Sequence, residues 1–306
     1  MSAVILDSIT KTYESGQILA VDNVSLEIQK GEIFGLIGPD GAGKTSIFRI
    51  LTTLLLADKG NASVEGNDVI KDYKAIRNIV GYMPGRFSLY QDLTVKENLN
   101  FFATLFGTTI KENYDIIKDI YDQIKPFNDR RAGKLSGGMK QKLALCCALI
   151  HKPVVLFLDE PTTGVDVVSR KEFWDILARL KAQGITILVS TPYMDEASLC
   201  ERIALMQQGR ILQIDTPDNI IKSYPVKLYA AKADNIFQLL QDMRASDKID
   251  SCFAFGEFLH LTMKQDQPGD LDYLRKYAAE KHHGGIDIKV ITPGIEDTFI
   301  RLSNHN

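Results

Sequence analysis

Three groups of residues in this sequence have the chemistry for handling phosphate. The first, Gly38-Pro39-Asp40-Gly41-Ala42-Gly43-Lys44-Thr45, fits the phosphate-loop pattern G-x-x-x-x-G-K-[ST] and is followed by Ser46. Glycines let the backbone approach a phosphate closely. Lys44 would reach the β- and γ-phosphates, and the Thr45 hydroxyl would help hold Mg²⁺. The second is Asp159-Glu160, which ends the apolar run 154–158. Acidic side chains at the carboxyl end of a buried strand are costly unless they bind something, and the phosphate loop is their natural neighbour. The third, Leu135-Ser136-Gly137-Gly138-Met139, opens a helix. Ser136 suits its N-cap, and Gly137 and Gly138 leave room for a negative group at the exposed N–H donors. Tyr13, a lone aromatic just before a turn, could stack on an adenine ring or simply pack.

These groups need a scaffold, and apolar spacing supplies its outline. Residues 33–37 read as a buried strand and 46–55 as a helix, so the loop sits where a helix dipole points at an anion. Alternation at Val4, Leu6, Leu19, Val21, Val24, Leu26 and Ile28 predicts an antiparallel β-layer turning at Glu14-Ser15-Gly16. Further strands are expected at 62–66, 79–82, 154–158, 185–189, 203–206 and 211–214. Helices are expected at 94–107, 112–125, 167–182 and 194–200, with another running to Ile150. The fold class is α/β, with a first domain over 1–216 and a helical subdomain at about 85–150. The remainder, 217–306, alternates strand and helix as a small βαββαβ module. His282 and His283 fall in a polar segment of that module and are expected at the surface, with no metal role.

The length of 306 residues supports two domains and a substantial core. Thirty-six basic against 39 acidic residues leave a net charge of −3, which argues against a nucleic-acid partner. Four cysteines (Cys146, Cys147, Cys200, Cys252) without C-x-x-C spacing read as reduced, packed thiols. No apolar stretch approaches the length that crosses a bilayer, and the amino terminus does not read as a signal peptide. The chain is expected to stay in the cytosol, and membrane work would need a partner.

The phosphate loop, LSGGM at 135–139, VVLFLDEP at 154–161 and TTGVD at 162–166 together resemble the nucleotide-binding subunit of an ABC transporter. The resemblance covers residues 3–216. The phrases GPDGAGKT, YQDLTVKENL and LSGGMKQK look most like the drug-efflux branch, whose ATPases pair with separate membrane permeases, and the carboxy-terminal module is similar to the accessory domain often appended there. The resemblance implies a P-loop NTPase cassette with a RecA-like core, binding ATP and Mg²⁺ at the cytoplasmic face of the cell membrane. Lys44 and the backbone of Gly41, Ala42, Gly43 and Thr45 would hold the phosphates. Thr45 and Asp159 would serve Mg²⁺, Glu160 would be the general base, and Tyr13 would stack on adenine. Ser136, Gly137 and Gly138 would contact the γ-phosphate of a nucleotide held by the opposite subunit, because two cassettes sandwich two ATP molecules head to tail. The segment 85–107, with Phe87, Tyr90, Phe101, Phe102 and Phe106, would form the permease groove.

The chain departs from that pattern at two posts. The family's glutamine after strand 79–82 is Gly85 here, and the histidine after strand 185–189 is Pro192, which lacks even a backbone N–H. Neither Gln91 nor Tyr193 is expected to stand in for them. Asp40 takes a position commonly held by asparagine. The expectation is a subunit that binds ATP, hydrolyses it slowly or not at all, and lends an intact signature to a second, complete cassette in a heterodimer. An active homodimer is the alternative within the family; outside transport, the alternative is a soluble ABC ATPase.

Overall fold

Alternating apolar residues close the first thirty positions into a hairpin. Strands β1 (Ser2–Tyr13) and β2 (Ile18–Gln29) pair antiparallel, Leu6 opposite Leu26, and bury Val4, Leu6, Ile9, Val24 and Ile28 on one side. The computed structural model describes residues 1–305. It divides into two units, Met1–Pro217 and the chain from Asp218 onward.

In the first unit, β3 (Ile33–Ile37) is buried at all five positions, as a central strand covered on both faces must be. It feeds the phosphate loop and α1 (Lys44–Leu51). Strands β4 (Lys59–Val64) and β5 (Asn67–Asp68) extend the hairpin to a sheet of order β2-β1-β4-β5. Helix α2 (Tyr73–Ile79) lacks an apolar stripe, burying only Ile76, and so escapes pattern reading. Then come β6 (Val80–Met83), α3 (Val95–Leu105), α4 (Tyr114–Ile124) and α5 (Gly137–Leu149). Thr94 caps α3 in a reciprocal box with Glu97. The unit continues through β7 (Val155–Asp159), α6 (Val167–Ala182), β8 (Thr186–Thr191), β9 (Arg202–Gln207) and β10 (Arg210–Asp215).

The second sheet has order β10-β9-β3-β8-β7-β6 and is parallel except at the β9–β10 pair. Its parallel register gathers the carboxyl ends of β3, β6, β7 and β8 on one edge, where ligands of such sheets bind. Strand β8 runs through Ser190 and Thr191, both fully buried. Their hydroxyls can be buried because carboxylates accept from them, Asp159 at 2.6 Å and Glu196 at 2.6 Å. Residues 194–199 form a 3-10 run, not the α-helix their spacing suggests. Glu196 is drawn inward there, accepting from Thr162 (3.1 Å), Thr191 and Arg170 (3.1 Å).

Helix α7 (Pro217–Lys222) spans the division. The second unit contains β11 (Leu228–Lys232), α8 (Ile236–Arg244), β12 (Ile249–Phe255), β13 (Phe258–Met263), α9 (Asp270–Glu280), β14 (Asp287–Ile291) and α10 (Ile295–His305). The antiparallel sheet β12-β13-β11-β14 buries Tyr229, Ala231, Leu259 and Leu261 with Leu239 and Met243 of α8 and Leu274 and Ala278 of α9. The polar setting of His283 misleads: its side chain is 4% exposed and its Nε2 lies 2.9 Å from Asp242, a partner forty-one positions away in sequence. His282 is exposed as expected.

Candidate functional site

The phosphate loop depends on glycine at two close approaches. A Cβ on Gly38 would stand 2.1 Å from the Met206 carbonyl oxygen, and one on Gly43, where φ is +103°, 2.2 Å from that of Ala20. Both contacts are backbone, so neither can give way. Gly43 also opens α1, aiming that helix's free N–H groups at the loop interior.

Lys44 is 3% exposed, and its Nζ folds back on the loop. It donates to the carbonyls of Gly38 (2.8 Å) and Pro39 (2.9 Å) and pairs with Glu160 Oε1 at 3.2 Å. Buried ammonium groups need such partners. The Thr45 hydroxyl donates to Asp159 Oδ1 at 3.2 Å, and Ser190 donates to the same oxygen. A hydroxyl beside a carboxylate is the hard-oxygen donor set that Mg²⁺ accepts while keeping water and phosphate ligands, so these residues fit that ion. Glu160 adopts a left-handed backbone with φ of 51°, an unfavourable region for a side chain of this size, and the Ser190 carbonyl and hydroxyl pin its N–H at 3.1 and 3.0 Å.

The structure brings Tyr13, Gly41, Ala42, Gly43, Lys44, Thr45, Ser46 and Glu160 around one cleft of about 280 Å³, with Ile18 and Ala20 of β2. Tyr13 joins it through a 3.0 Å bond between its hydroxyl and Ser46. Gly38, Pro39 and Asp40, the first part of the loop, do not line the cleft, and Asp40 is exposed. Ser136, Gly137 and Gly138 do not line this cleft. Ser136 caps α5, accepting from the Met139 N–H, while Gly137 and Gly138 pack beside the Gly164 carbonyl and Ser169.

Of the two odd positions, Gly85 lies beside the acidic end of the cleft. A Cβ on Gly85 would lie 3.0 Å from the Asp159 carbonyl and 3.7 Å from Glu160 Cβ, so a side chain there would enter the site. Pro192 follows Thr191, whose carbonyl accepts from the Gly38 N–H at 3.3 Å. Gln91 instead packs at Gly133, and Tyr193 lies under the Arg170 guanidinium at 4.3 Å.

Sequence reading missed Ser190, which ties Asp159 to Glu160, and the cluster of Arg170, Glu196 and Thr162 beside Pro192. Polar residues ending an apolar strand next to an Asp-Glu pair were the available signal for Ser190. Between the sheet and the helical subdomain lies a second cavity, about 520 Å³, lined by Tyr82, Met83, Leu89, Phe102, Phe106 and His151 among others. His151 stacks on Phe106 at 3.8 Å, and burial pushes its pKa down. Burial, with the charge of Asp159, pushes Tyr82 up to about 12. Phe102 and Phe106 line the cavity; Tyr90 and Phe101 meet edge to face and are half exposed, and Phe87 lies under Lys140.

The ABC transporter family profile matches residues 21–163. The daunorubicin resistance ATP-binding protein DrrA2 of Streptomyces coeruleorubidus is 33% identical over 319 residues, covering 99% of this chain and 95% of that protein. This chain belongs to the ABC transporter ATP-binding proteins. The probable multidrug ABC transporter ATP-binding protein YbhF of Escherichia coli K12 is 37% identical over 310 residues, 98% of this cassette but 52% of that protein, so the chain spans about half the relative's length. Among solved structures, the cassette MJ0796, dimeric and bound to ADP and phosphate, superposes with a TM-score of 0.63 at 26% identity over 70% of this chain and 98% of that one. The chain's fold and its nucleotide-binding class follow from these matches together with the loop geometry.

Proposed function

We propose that this cassette binds ATP and Mg²⁺ at the cytoplasmic face of the cell membrane and drives a separate permease that exports small molecules, as one half of a heterodimer with a complete cassette. Relatives named for multidrug transport, daunorubicin resistance and Nod factor export support the cargo class. A separate permease is supported by relatives of similar length that are named only as ATP-binding proteins. The cavity beside Phe102 and Phe106 offers such a partner an apolar seat.

The observation that carries the division of labour is Glu160 standing intact while Gly85 and Pro192 carry no side-chain donor. On nucleotide binding, Lys44 would exchange the carbonyls of Gly38 and Pro39 for phosphate oxygens, and Thr45 and Asp159 would hold Mg²⁺, which neutralises phosphate charge. Glu160 could then accept a proton from water. No side chain at Gly85 or Pro192 would orient that water or donate to the terminal phosphate. Losing one preorganised donor costs on the order of 10²–10³ in turnover. The signature at Ser136, Gly137 and Gly138 would serve the partner's site. A dimeric cassette relative and a relative about twice this length both accommodate such pairing.

An active homodimer is the second reading, favoured by the retained Glu160. ATPase assays of the chain alone and co-purified with a second cassette separate the two. We expect turnover below roughly 0.1 s⁻¹ alone and on the order of 1–10 s⁻¹ in the pair. Brisk hydrolysis by the isolated chain, rising with its own concentration, overturns the heterodimer.

A further inference from the structure

In the unit from Asp218 onward, α8 and α9 bury one face of the sheet, and α10 lies against the other through contacts such as His260–Asp297. Between α10 and strands β12 and β13 is a cavity of about 400 Å³, a size usual for small-molecule sites. Its polar groups are already positioned. His260 lies flat on Phe255 (4.1 Å, 15°), and its Nδ1 is 2.7 Å from Asp297. Asp297 is 8% exposed and also accepts the Gly294 N–H at 2.7 Å, so both its oxygens are engaged. Arg244 is anchored through Nε on the Cys252 carbonyl at 3.0 Å, which leaves its terminal nitrogens without a partner among the described residues. Arg301 lies over the Tyr224 ring at 5.7 Å and reaches Asp250 only at 3.5 Å. Two guanidinium groups thus share the cavity with the Asp250 and Asp297 carboxylates, the first held only loosely and the second engaged by His260 and Gly294, beside an apolar wall of Phe253 and Ile300.

We propose that this cavity binds a small organic monoanion, a carboxylate on a flat apolar body. Arg244 and Arg301 take the carboxylate, as guanidinium forks do in partly enclosed sites. The body packs on Phe253 and Ile300. A dianion would meet Asp250 and Asp297, and a cation would meet the two guanidinium groups.

The test is calorimetric titration of the full chain with benzoate, inorganic phosphate and benzylamine. Saturable binding of benzoate is expected, weakened roughly tenfold or more in Arg244→Gln and in Arg301→Gln, since a hydrogen bond to a charged group carries at least that factor. ATP binding should be unchanged in both variants, which also reports that they are folded. Ile300→Trp, filling the cavity, should abolish benzoate binding while leaving ATP binding intact. Absence of saturable benzoate binding, a preference for phosphate or benzylamine, or benzoate binding indifferent to all three substitutions overturns the proposal.

Discussion

The phosphate loop and the rim facing it are built on different principles. The loop holds its shape with backbone: Gly38 and Gly43 press against carbonyls, α1 presents its N–H groups, and Lys44 is satisfied by two carbonyls of the loop itself. In the proposed reading the rim would depend on single side chains, and Gly85 and Pro192 offer no side-chain donor. Binding written into backbone geometry survives side-chain change; catalysis that rests on one donor at each post does not. A chain can therefore lose turnover while keeping its grip.

The largest effect that would break this contrast is at Lys44. Lys44→Ala should weaken ATP binding by roughly 30-fold or more, as loss of a buried charge partner does, measured by titration with a fluorescent ATP analogue. Unchanged affinity would mean that the loop does not take phosphate. Next, Gly138→Val would drive a side chain into Ser169, whose Oγ lies 2.9 Å from a Cβ built at that position. ATPase of the assembled pair should fall about tenfold or more, while ATP affinity of the isolated chain stays put.

Restoring the rim is a sharper probe. Gly85→Gln with Pro192→His should raise turnover of the chain alone by about tenfold, read in a phosphate-release assay. Gly85→Gln by itself should gain little, because the 3.0 Å approach to the Asp159 carbonyl forces a shift before the side chain can reach in. Conversely, Glu160→Gln should lower turnover of the pair by less than about threefold; a loss near 10³ would make this site the principal engine.

The smallest effect lies away from the site. Lys11, then Thr12, hold the Asp58 carboxyl down to about 2, against an ordinary value of 3.8. With its pKa depressed in the fold, Asp58 contributes to stability above about pH 3.8, and the contribution disappears as pH falls towards 2. An NMR titration should place its midpoint near 2, and Asp58→Asn should flatten the acid limb of thermal stability slightly.

Much of this molecule was legible because its signals are local. Phosphate loop, apolar strands and the Ser136 cap each fit within a few residues, and the two central strands are apolar at nearly every position, as parallel strands covered on both faces are. What stayed hidden depends on distance in sequence. Ser190 matters because parallel pairing sets it opposite Asp159, and Glu196 is buried because Thr162 and Arg170 come to meet it. His283 looked exposed among polar neighbours until the fold supplied Asp242. Helix α2 hid for another reason: with only Ile76 buried, it has no stripe for periodicity to detect. For the signature, residue type was readable but purpose was not, since the chain alone sets Gly137 and Gly138 against Gly164 and Ser169 and gives them no phosphate to face.

The ion pair between Lys44 and Glu160 has an effect on the approach of nucleotide. An empty cleft showing both Asp159 and Glu160 unopposed would repel a polyanion at its mouth. With the ammonium lying across Glu160, one of those negative charges is masked, and a triphosphate that drew the lysine away would unmask it. On the proposed reading the entering ligand would uncover the carboxylate behind it, so the acid would be bared only when there is something in the cleft for it to act on.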